Sequence, residues 1–162
     1  MYNEDYILRM VQQLAAAIAR IAGLNQREQH DQALADADRA WGELLGDIPP
    51  EIACSVDSRT LAGMLRQPAR IRLASQILGE QARALAGQGD AAGATRRTRR
   101  ALELLLEARA AEAAAPDRPM RSRRDAPSVD EDDAALRTLL QLVPADALAS
   151  RYRTLLTGPA SA

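Results

Sequence analysis

His30 and Cys54 are each the only residue of their kind in this chain of 162, and they bound the chemistry the sequence can offer. A thiol becomes a nucleophile when a neighbouring base takes its proton. Cys54 has no histidine within its own segment, so a dyad would require the fold to bring His30 across to it. His30 stands near the start of a helical stretch beside Glu28, Asp31 and Asp36, without the short, recurring Cys and His spacings of zinc sites. Asp130, Glu131, Asp132 and Asp133 form an acidic run. Successive helical residues turn by about 100°, so these carboxylates diverge and read as a charged helix start. No phosphate-cradling glycine loop, Ser-His-Asp order or paired-cysteine motif occurs. The expectation is a chain with no catalytic centre, no metal and no cofactor.

The remaining chemistry-bearing feature is RRTRR, comprising Arg96, Arg97, Arg99 and Arg100, a candidate anion patch for nucleic acid. Residues 96 to 124 hold nine Arg against Glu103, Glu107, Glu112 and Asp117. On a helical wheel the four arginines fall opposite Ala94, Thr98, Ala101 and Leu105. Glu103 and Glu107 share the arginine side, and Glu103 stands three residues from Arg100 and four from Arg99, the spacing of helical ion pairs. The cluster therefore reads first as a solvated helix face. It lacks the aromatic platform on which single-stranded bases stack, and nucleic-acid binding is the second reading.

Composition says which elements position these residues. Hydrophobic residues make up 47% of the chain, yet there is no Phe and only one Trp. The core must be built from Ala, Leu and Ile, which with scarce aromatic and β-branched residues predicts an all-α fold. The net charge of −1 argues against a uniformly basic surface. All 21 basic residues are Arg, so their count alone carries little meaning. A single cysteine fits a reducing compartment. The acidic opening MYNEDYILRM is not a signal peptide, and no uninterrupted apolar run approaches the ~20 residues of a membrane span. A cytoplasmic protein without membrane contact is expected.

Apolar residues at three- and four-residue spacing predict about five helices before the first proline-rich break. The first runs from Asn3, as its cap, to Leu24, with Tyr6, Met10, Leu14, Ile18 and Ile21 on its face. The second runs from Gln26 to Leu45 and ends at Gly46, Asp47, Pro49 and Pro50. Asp57 caps a short helix bearing Leu61, Met64 and Leu65. Pro68 opens the next, which breaks at Gly87-Gln88-Gly89, and Asp90 caps the last, to about Ala114. Residues 1–115 form the main domain, and residues 116–128 read as a flexible Pro/Arg linker. Residues 129–158 read as a C-terminal helical pair, opened by a Ser128/Glu131 capping box.

Residues 87 to 108, GQGDAAGATRRTRRALELLLEA, resemble the second half of a tetratricopeptide repeat. Gly89 and Asp90 fall at the turn, Ala94 and Ala101 at the small packing positions, and Leu78 and Leu85 at apolar positions of the preceding helix. Gln81, Ala82 and Thr98 depart from the pattern. A weaker copy has Leu24 at the turn, Ala33 and Ala40 at the small positions and Glu28 in place of the turn glycine. The copies lie 61 residues apart (94 minus 33), and the short helix near Leu61 fills the insertion. The opening also resembles a family of small bacterial helical proteins that begin Tyr-x-x-Asp-Tyr-Ile-x-Arg-Met and carry no assigned activity. That likeness covers about residues 2 to 108.

The tetratricopeptide resemblance implies a non-catalytic scaffold for a protein or peptide partner, gripped in a concave groove. By matching positions the groove includes Ile18 and Asn25, with Ala15 and Ala22, from the first copy. Gln76 and Arg83, with Gly79 and Ala86, come from the second. With two repeat-like pairs the apolar ends need covering, either by the C-terminal pair folding back or by a second copy in a homodimer.

Overall fold

The computed structural model describes residues 2–114, 134 and 137–139. Among these residues the fold is all-α. Residues 2–114 form α1 (Tyr2–Gln26), α2 (His30–Leu45), α3 (Pro50–Ser55), α4 (Ser58–Leu65), α5 (Pro68–Gly87) and α6 (Ala91–Ala113). The linker and most of the expected C-terminal pair lie outside the described residues.

Each boundary has a local cause. Asp57 accepts from the Thr60 backbone N–H at 2.9 Å and Asp90 from that of Gly93 at 2.8 Å, so both act as caps. Pro50 and Pro68 sit in first turns, where the missing N–H costs nothing. The helix α3 was not expected from the sequence, because six residues are too few to show a period. Two further boundaries differ from expectation. Asn3 lies inside α1, and α2 begins at His30 because residues 27–29 form the turn.

The turns between α1 and α2 and between α5 and α6 close in the same way. Gln29 N–H donates to Leu24 O and Asp90 N–H to Leu85 O, each at 2.9 Å. The residue before each donor is left-handed: Glu28 at φ 61° and Gly89 at φ 87°. This six-to-one bond over a left-handed residue is the Schellman arrangement. Leu24, Glu28 and Gln29 correspond to Leu85, Gly89 and Asp90 at the same offset of 61 (89 minus 28).

Helix α5 is the centre of the molecule. It packs most extensively on α6, then on α2 and α1, while α4 lies against α6. Its apolar side chains Ile71, Ala74, Ile77 and Leu78 join Leu14, Ile21 and Leu24 of α1 and Ala33, Ala37, Ala40 and Leu44 of α2. Tyr6 does not join them and is 67% exposed. Because α5 is largely enclosed, Arg72, Ser75, Glu80 and Gln81 are buried too, and each is bonded to a neighbour, as burial requires. Ser75 Oγ donates to Ala101 O at 2.6 Å and Arg72 pairs with Glu112, both on α6, which makes α5 and α6 antiparallel. Gln81 Nε2 donates to Asp38 Oδ1 of α2 at 2.7 Å. Arg70 donates to Leu44 O at 2.7 Å, closing the end of α2.

By length and composition the Glu4–Gln26 part of α1 could cross a bilayer. Its Leu14, Ile21 and Leu24 are packed into the helical core.

Candidate interaction surface

The expected groove residues lie along α1 and α5, which are in contact. On α5, Gln76, Arg83 and Ala86 are exposed and Gly79 is half-buried. On α1, Ala15 is exposed, and Ile18 and Ala22 are half-buried, with Ile18 packed against the core. Successive α5 positions of this row are three or four apart, so they share one helix face. The surface is shallow, because Ala15, Ala22, Gly79 and Ala86 are small. Gln76 and Arg83 supply its polar reach.

Asn25 is placed differently from the expectation. It is only 9% exposed, and Nδ2 donates both to Glu80 O at 3.0 Å and to Glu80 Oε2 at 2.8 Å. Arg83 Nη1 donates to the other carboxylate oxygen, Oε1, at 2.9 Å. Asn25 therefore clamps α1 to α5 beneath the surface rather than meeting a partner. Glu80, 7% exposed, was passed over in the sequence. The available signal was a charged residue three positions from both Ile77 and Arg83 and two from Leu78 on the apolar stripe of that helix.

His30 opens α2, and its Nδ1 lies 3.3 Å from Asn25 Oδ1. The imidazole also covers Gly87, where a Cβ would collide with it. A shallow depression of ≈ 410 Å³ passes beside it, lined by Glu28, Asp31 and Gln88 among others. Cys54 is exposed on α3 and its carbonyl oxygen accepts from Arg100. His30 and Cys54 are thus engaged with different neighbours.

The arginine cluster differs most from its expectation. Arg96 is exposed, but Arg97, Arg99 and Arg100 are half-buried; α4 packs against α6, and Arg100 reaches the end of α3. Arg100 donates to Ala53 O at 2.5 Å, Val56 O at 2.9 Å and Cys54 O at 3.4 Å. It closes the C-terminal end of α3, whose carbonyls have no partner within the helix. Glu103 accepts from Ser58 Oγ of α4 at 2.5 Å. A depression of ≈ 230 Å³ remains among Arg96, Arg99, Arg100, Asp57 and Ser58. The backbone N–H and then the hydroxyl of Thr60 hold the Asp57 carboxyl below its ordinary pKa. Asp57 stays ionised at neutral pH and sets a negative charge among those arginines.

The class defined by this geometry is an all-α helical packing without strands among the described residues. Compared with protein-family models, curated proteins and solved structures, the chain shows no match.

Proposed function

We propose that this chain is a non-catalytic scaffold of tetratricopeptide-like type that holds a protein or peptide partner along the α1–α5 surface. The observation that carries the reading is the pair of turns closed by the same bond over a left-handed residue at one fixed offset. Repeat proteins are built by stacking such equivalent helix pairs. The order of packing supports it as well: α5 lies against both α1 and α2, as the first helix of one pair does against the preceding pair. The single cysteine fits work in the cytoplasm.

Nucleic-acid binding through Arg96, Arg97, Arg99 and Arg100 is the weaker reading. Arg100 is committed to α3, and Asp57 opposes the charge of the others.

The test changes Gln76 and Arg83 together to Ala. Both are exposed, and Glu80 keeps Asn25 as a partner when Arg83 is lost. Thermal denaturation should show a loss of about 1–3 kcal/mol with the fold retained, because without Arg83 the nearly buried Glu80 Oε1 loses its donor. A protein that co-purifies with the unaltered chain should be lost from the variant. Retention of that protein by the folded double variant would refute the proposed surface.

A further inference from the structure

The α5 side of the α1–α5 surface is met by the chain itself at Gly79. A Cβ placed on Gly79 would lie 3.7 Å from Leu139 Cδ2, so this leucine sits directly over the glycine. Leu139 is half-buried and packs against the core, whereas its neighbours Arg137 and Thr138 are exposed. Residues 134 and 137–139 are helical, and Thr138 Oγ1 donates to Ala134 O at 2.9 Å. Leu139 therefore turns inward where the described Ala134, Arg137 and Thr138 are exposed.

Gly79 explains why the contact falls there. Glycine is the poorest helix former after proline, yet one stands in the middle of the 20-residue α5. Without a side chain between Gln76 and Arg83, the helix surface has a hollow that a leucine can enter. In the sequence Leu136, Leu139, Leu140 and Val143 recur at the spacing of one helix face, so Leu139 belongs to an apolar row. The residues from 115 to 133 can span at most roughly 65 Å, ample to bring that row back to α5.

We propose that the segment carrying Leu139 is the resident occupant of the α1–α5 surface, so that a partner binding there must displace it. The idea rests on the scaffold reading for what displaces it, but the occupancy stands on the Leu139 contact alone. A tethered segment competes at an effective concentration in the millimolar range. A partner's apparent affinity falls by the fraction of chains in which the surface is open. The partner that fits is chemically similar to the occupant: an amphipathic helix presenting a leucine to Gly79.

The experiment uses the full chain and a fluorescein-labelled peptide of residues 129–158, with binding followed by anisotropy. The unaltered chain should bind this peptide at least tenfold more weakly than the Leu139→Asp chain, whose own segment no longer holds the hollow. Adding Gly79→Leu to Leu139→Asp fills the hollow and should abolish the gain. A folded Leu139→Asp chain with no gain, or a gain indifferent to Gly79→Leu, would overturn the proposal. Should Leu139→Asp fail to fold, hydrogen exchange in the unaltered chain decides: slowed amides at residues 137–139 are expected, and free-peptide rates would overturn it. If the Gln76 and Arg83 variant loses its partner while the peptide arms fail, the scaffold stands without the resident occupant. Success of the peptide arms with the partner retained gives the reverse.

Discussion

Glu28 occupies a position shaped for glycine. At φ 61° its Cβ crowds the following carbonyl, a strain that costs an L-residue roughly 1–2 kcal/mol and glycine nothing. Gly89 fills the equivalent place in the second turn without strain. Glu28→Gly should therefore stabilise the protein by about 1 kcal/mol, offset by a few tenths for the added freedom of the unfolded chain. The check is the midpoint of thermal or urea denaturation, and an unchanged or lower midpoint would mean that the Glu28 side chain makes a compensating contribution.

At the scale of elements, α3 is the part most dependent on a neighbour. Six residues cannot hold a helix in water by themselves. The Arg100 guanidinium bridges three carbonyls at its end, those of buried Ala53, half-buried Val56 and exposed Cys54, so its loss leaves the Ala53 and Val56 oxygens without this donor. Arg100→Ala should destabilise by about 1–3 kcal/mol, in the range for stranding buried hydrogen-bonding groups. Arg96→Ala, four positions earlier and exposed, should stay within about 0.5 kcal/mol. Equal effects of the two in parallel denaturation curves would contradict the bridging role. The long helices are tied more redundantly, since α5 reaches α6 through Ser75 and Arg72, α2 through Gln81 and α1 through Glu80.

For the whole molecule, the enclosure of α5 implies that the two helical pairs do not unfold separately. Loss of α5 would expose the apolar stripes of α1, α2 and α6 together. Trp41, the one tryptophan, lies on α2 at the edge of that core, so its fluorescence reports on the first pair. Far-ultraviolet circular dichroism reports on all helices. The two transitions should coincide in urea, the signature of a single cooperative unit. Fluorescence changing well before ellipticity would show that α1 and α2 can part from α5 and α6.

The sequence by itself determined what depends on residues within a turn or two of one another. The stripes of α1, α2 and α5, the caps at Asp57 and Asp90, and the breaks at Gly46 and Gly87–Gly89 are set by local spacing, side-chain reach and backbone freedom. Glu28, standing where glycine would be expected, gave no local sign that its turn closes as the one at Gly89 does. Tertiary structure alone decided which polar groups are enclosed. Asn25 meets Glu80 across 55 positions, Gln81 meets Asp38 across 43, and Arg100 meets Ala53 across 47. A helical wheel shows which way a side chain points but not which helix crosses in front of it. Three of the four arginines read as solvated are therefore half-buried, with α4 packed on α6 and Arg100 bonded to the end of α3, and the place of Leu139 over Gly79 could be found only once the chain had returned to α5.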